Sequence, residues 1–223
     1  MFKQSLAAIG LAFATTSVTA QDLANYEVTI TNITSGQYFT PQLVVTHPVE
    51  AIIFRLGRPA STELEILAEA GDTTPLADAL AGVATDVTTI DGLLGPGQRT
   101  SVVIQGDPDS DFLSVAAMLI PTNDTFVALN RVRLPVAGAI REMVPAYDAG
   151  TEVNDQDCAN IPGPQCGGAG YSPDPADTDE GFVHISDGIH GEGGINEVGS
   201  RIIGAKVYDW RNPVARITVR RMQ

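Results

Sequence analysis

Residues 26–32, Tyr-Glu-Val-Thr-Ile-Thr-Asn, alternate apolar and polar side chains, the two-residue period of a strand with one buried face, and Gly36 ends the run. Near the other end, Val214-Ala215-Arg216-Ile217-Thr218-Val219-Arg220 alternates again and predicts a central or well-paired last strand. Between these two lie short runs rich in Val, Ile, Phe and Leu at 43–46, 52–56, 100–105, 112–119 and 126–129, each predicting a further strand.

Two segments break this pattern. Thr62 with Glu65 three residues on predicts a helix opened by a capping box and ended by Gly71. Thr74-Pro75 predicts the N-cap and first position of a second short helix, with Leu76 and Leu80 on one face and Gly82 after it. Both helices are expected to cover one end of the sheets. From 153 to 199 the chain turns to Gly, Pro, Asp, Asn and Ser and loses all periodicity. The pattern as a whole predicts an all-β fold: one sandwich domain over 21–223, with one or two short helices and a long Gly/Pro-rich insertion before the last strand.

The N-terminus changes the compartment. Lys3, an apolar run over 6–14 and Val18-Thr19-Ala20 before Gln21 predict a signal peptide over 1–20. That run is too short for a spanning helix, so no stable membrane insertion is expected and the protein is placed in a periplasm or outside the cell. Cys158 and Cys166, close together in an exported chain, predict a disulfide around a short surface loop.

With 27 acidic against 13 basic residues the chain carries a formal charge of −14. Nucleic acid and anionic lipid are disfavoured as partners, because both are held largely by Lys and Arg. Such a surface suits divalent cations, and it equally suits plain solubility.

Two acidic clusters offer chemistry: Pro121-Thr122-Asn123-Asp124, and Asp148-Ala149-Gly150-Thr151-Glu152. Calcium takes six to eight oxygen ligands, and a central Gly lets Asp148 and Glu152 turn toward one point while Asp124 closes the site from a neighbouring loop. Solvated or turn-capping carboxylates are the alternative. His47, at a strand end, reads as a structural hydrogen-bonding residue. His184 and His190, in His-Ile-Ser-Asp-Gly-Ile-His-Gly-Glu over 184–192, offer a second metal site, or with Ser186 and Asp187 a secreted hydrolase, against a loop ordered by its own hydrogen bonds. No Gly-x-Ser-x-Gly elbow accompanies Ser186. Asn32-Ile33-Thr34 and Asn123-Asp124-Thr125 match the glycosylation pattern.

Several segments together resemble the spondin domain family, found in animal adhesion proteins and in bacterial exported proteins. They are 26–32, 37–41 with Thr46-His47, Pro59-Ala60-Ser61 with Leu67-Ala68-Glu69, 121–126, Tyr147-Asp148-Ala149-Gly150-Thr151-Glu152, and 213–219. The resemblance implies a sandwich of two antiparallel sheets akin to C2 domains, binding one Ca2+ through loops at one end. Its ligands fall on Asp124, Asp148 and Glu152. Glu152 stands where animal members carry Asp, and Thr125-Phe126 where they carry Trp. The function implied is a calcium-binding adhesion or interaction module without catalytic activity, recognising an extracellular protein or glycan.

Overall fold

The computed structural model describes residues 22–171 and 179–223, so the signal peptide expected at 1–20 lies outside the described residues. The elements run β1 (Ala24–Asn32), β2 (Tyr38–Phe39), β3 (Gln42–His47), α1 (Thr62–Ala70), α2 (Thr74–Ala81), β4 (Asp86–Ile90) and β5 (Arg99–Gly106). Then follow β6 (Phe112–Ile120), β7 (Thr125–Arg133), β8 (Ala139–Val144), β9 (Ala146–Asp148), β10 (His184–Ile185), β11 (Gly194–Ile195), β12 (Arg201–Ile202), α3 (Ala205–Tyr208) and β13 (Ala215–Arg221). A four-stranded sheet has the order β5-β1-β13-β8, and a seven-stranded sheet the order β10-β9-β7-β6-β3-β4 with β2 beside β6. The pairings are antiparallel, and the expected all-β sandwich is present.

The two sheets explain why the strands read differently. β1 and β13 turn Tyr26, Val28, Ile30, Ile217 and Val219 inward and leave Thr29, Thr31, Arg216 and Arg220 outward, so they alternate. β13 lies between β1 and β8, central as its pattern predicts. β3 and most of β6 are buried on both faces. On one face Val44, Val115, Ala117 and Leu119 meet the four-stranded sheet. On the other, Leu43, Val45, Phe126 and Ala128 pack against Leu64, Leu67, Leu76 and Leu80 of the helices. Each leucine buried this way contributes roughly 2 kcal/mol of transfer free energy.

The helices therefore lie on the outer face of the second sheet, not at one end as expected, because that face is itself apolar and needs covering. The cap of α1 is Ser61, whose hydroxyl accepts from the Leu64 amide at 3.3 Å, one residue before the expected Thr62. Adjacent hydroxyl residues compete for this place, and Ser61 has the extended backbone that a cap requires. In α2 the residue before the helix is Thr73, and the Thr74 amide is held by Asp72 at 2.9 Å.

The expected strand at 52–56 is absent. Its apolar residues fill a loop: the Phe54 ring stands edge-on to Phe126 at 5.2 Å and 4.8 Å from Tyr147, so their hydrophobicity serves packing without a ladder. The Gly/Pro-rich insertion is partly woven into the fold. β10 extends the large sheet, Ile161 and Val183 are wholly buried, and Cys158 and Cys166 form the expected disulfide. Asn32 is buried and its amide donates to the Gln37 and Leu94 carbonyls at 2.8 and 3.0 Å, so this sequon is structural.

Candidate metal centre

Sheet register sets the site. β9 lies between β7 and β10, and Asp148 stands opposite Thr125 on one side and His184 on the other. Beyond Asp148 the chain leaves the sheet in a tight turn, with Asp148 Oδ1 accepting from the Gly150 amide at 2.9 Å. Gly150 has a positive φ of 66°, and a Cβ there would stand 2.3 Å from the Phe182 carbonyl oxygen, so only glycine fits.

That turn aims two successive amides at the neighbouring loop. Thr151 N–H and Glu152 N–H both donate to Asp124 Oδ2, at 2.8 and 3.2 Å. The other oxygen of this fully buried carboxylate, Oδ1, has no hydrogen-bond partner. Asp148 Oδ2 accepts from Asn154 at 3.0 Å. Glu152 Oε1 accepts from Asn123 at 3.2 Å, while its Oε2 is buried and unpartnered. The Asn123 amide also donates to Asp155 at 3.0 Å and is buried, so the second sequon is structural as well.

Burial pushes all three carboxyls up. Asp124 is raised well above the ordinary value, by desolvation first and then by the charge of Asp148, which outweigh the two amides favouring its ionised form. Asp148 is raised by burial against the opposing pull of Asn154 and His184. Glu152 is pushed up to about 7 by burial, with the charges of Glu69 and Asp155 adding to it and the Asn123 hydrogen bond working against them.

Such a cluster without a cation is costly, since ionised oxygens sealed from water need compensation. Two buried carboxylate oxygens without a partner, Asp124 Oδ1 and Glu152 Oε2, together with an all-oxygen donor set, fit a hard divalent ion such as Ca2+. Asp124, Asp148 and Glu152 are thus brought into one electrostatic unit.

The histidine loop is arranged otherwise than a hydrolytic triad. Ser186 Oγ lies 3.2 Å from Thr125 Oγ1 and accepts from the Gly188 amide at 3.4 Å, and neither partner is a histidine. His184 Nδ1 faces the Ile185 carbonyl oxygen at 2.9 Å, and the His190 amide donates to Gln156. His47 is buried, with Nδ1 on the Pro48 carbonyl and Nε2 on Ser114, each at 2.8 Å. Sequence reasoning missed Asn123, Asn154, Asp155 and Glu180 beside the centre. Asn123 stood in sight within the first acidic cluster; Glu180, 28 residues from Glu152 in an irregular segment, carries no periodic signal.

A family profile described as Spondin_N matches residues 26–154, and no curated protein matches the chain. The matched stretch runs from β1 past β9, includes Asp124, Asp148 and Glu152, and stops before His184. Among the described residues no helix is long and apolar enough to cross a membrane. Covering more than half of the 223 residues, the match establishes that the chain belongs to the Spondin_N family, whose domains are extracellular interaction modules.

Proposed function

We propose that this domain is a non-catalytic, exported interaction module in which Ca2+, held by Asp124, Asp148 and Glu152, fixes the loops that meet an extracellular protein or glycan. The observation that carries this reading is the buried, unpartnered Oδ1 of Asp124 in contact with the field of Asp148. Bound calcium would neutralise the mutual repulsion of the carboxylates. The chain's own residues do the positioning: the turn at Gly150 holds the Thr151 and Glu152 amides on Asp124, and Asn123 and Asn154 orient Glu152 and Asp148. The net charge of −14 supports a partner other than nucleic acid or an anionic membrane.

Calcium titration of chelator-treated protein by calorimetry, with thermal melts in parallel, tests the reading. Saturable uptake with a raised Tm is expected, since an ion that binds only the folded state stabilises it by mass action. No uptake and an unchanged Tm would overturn the calcium part.

A further inference from the structure

Beside the carboxylate centre, at the β9–β10 edge, lies a cavity of about 190 Å³ lined by residues that include Asp148, Glu180, His184, Asp187 and His190. Within it, ligand atoms of Asp148, Glu180 and His184 all fall within 4.8 Å of one another. The imidazole is already in a ligand's tautomer. Its Nδ1 faces a carbonyl oxygen at 2.9 Å, which can only accept, so Nδ1 carries a proton and, in the neutral ring, Nε2 is the nitrogen that presents a lone pair.

That lone pair is buried and has no hydrogen-bond partner. Its nearest charged neighbour is Asp148 Oδ1 at 3.4 Å, close enough for an ion pair by distance alone but without hydrogen-bond geometry. A lone pair and a carboxylate oxygen turned toward each other want a cation between them. Two ligands of a tetrahedral ion with bonds of about 2.1 Å stand about 3.4 Å apart. The Asn154 amide donates to both Asp148, at 3.0 Å, and Glu180, at 3.4 Å, holding the two carboxylates at the cavity.

We infer that Asp148, Glu180 and His184 form a site for a zinc-class divalent ion, with Asn154 as its positioning residue. An imidazole ligand selects zinc or a similar transition ion over calcium, which takes oxygen. Three protein ligands on an open cavity leave a fourth position for water or for an acidic group of a partner. Of its ligands only Asp148 also belongs to the calcium reading, and Asn154 positions Asp148 in both.

The test is titration of the chelator-treated full chain with Zn2+ by calorimetry and with Co2+ by visible absorption, in wild type, His184→Asn and Glu180→Gln. Glu180 is exposed, so Glu180→Gln tests the site without disturbing the core. One-site zinc uptake and a cobalt–imidazole spectrum are expected for wild type. Each variant should bind at least about 10- to 100-fold more weakly, the usual loss when even a supporting partner of a metal ligand is removed. Asp124→Asn should keep zinc uptake. No zinc uptake by wild type, or equal uptake by wild type and both variants, would overturn the site. Zinc loss in Asp124→Asn as large as in His184→Asn would overturn it too, by placing the ion in the carboxylate centre. Zinc uptake kept while wild type takes no calcium would sink the calcium reading alone.

Discussion

His47 and His184 begin alike, each with Nδ1 on a carbonyl of the following residue, at 2.8 and 2.9 Å, and they end in opposite conditions. Around His47 the polar chain closes: Nε2 accepts from the Ser114 hydroxyl, and Ser114 Oγ in turn accepts the Arg131 amide at 3.0 Å. That amide belongs to the bulge where β6 and β7 slip register, and Arg131 there has a positive φ of 55°. The network thus fastens an irregular point of the large sheet. Around His184 and Asp124 the chain stays open, with an imidazole nitrogen and two carboxylate oxygens buried and unpartnered. Burial is common to both regions; what separates scaffold from candidate site is whether the buried polar atoms are complete.

The largest effect should come from opening the closed network. His47→Ala removes both ring hydrogen bonds, leaves Ser114 facing a cavity and should cost about 3 kcal/mol in urea denaturation. Calcium affinity should not change. A loss below about 1 kcal/mol would break the comparison at its structural side.

Next comes the pH dependence of the open region. The folded values of Asp124, Asp148 and Glu152 lie above the ordinary carboxylate range, so folding favours their protonated forms. Their contribution is fully present below the ordinary carboxylate pKa and is lost as pH rises through the folded values, about 7 for Glu152. Metal-free protein should therefore lose stability on the order of 2 kcal/mol between about pH 4.5 and pH 7, after screening of the partly exposed Glu152 is allowed for. Melts in chelator should show the fall and melts in saturating calcium should flatten it.

A smaller effect, of opposite sign for stability and binding, is expected from Asp124→Asn. The new amide oxygen can keep the Thr151 and Glu152 amides, and its NH2 would occupy the unpartnered place in the field of Asp148. Calcium affinity should drop at least tenfold, about 1.4 kcal/mol, while the metal-free Tm rises. Asp148→Asn is the less clean change, because both Asp148 oxygens already accept hydrogen bonds and an amide NH2 would meet a donor. Smallest of all, Glu152→Gln should weaken calcium several-fold, under about 1 kcal/mol, since the longer side chain is the one water most readily replaces. Calorimetric ranking of the two variants in the reverse order would show that Glu152, not Asp124, anchors the ion.

Much of this contrast is legible in the sequence. The alternation of 26–32 and 214–220 announced strands with one wet face, and the Asp-Ala-Gly-Thr-Glu turn drew attention to Asp148 and Glu152. β4 and β8 escape a reading by pattern because they are short, largely unburied and mix apolar with charged or hydroxyl side chains without a continuous apolar run. The run at 52–56 predicts a strand that does not form, because hydrophobicity alone does not distinguish a ladder from a packed loop; Phe54 packs on Phe126 and Tyr147, residues far along the chain.

The sequence by itself determined the elements whose cause is local: the two-residue period of β1 and β13, the glycine required after Ala149, the nearby cysteines, the acidic balance. Only the tertiary structure decided that helices cover the second sheet, that Ser61 caps α1, and that Glu180 and His184 stand beside Asp148. The physical reason is that these depend on strand register and on desolvation. Pairing β9 between β7 and β10 brings Thr125, Asp148 and His184 abreast from three distant stretches, and burial there leaves Asp124 Oδ1 without a hydrogen-bond partner from the protein. Neither a register nor a lost hydration shell is a property of any single stretch of residues.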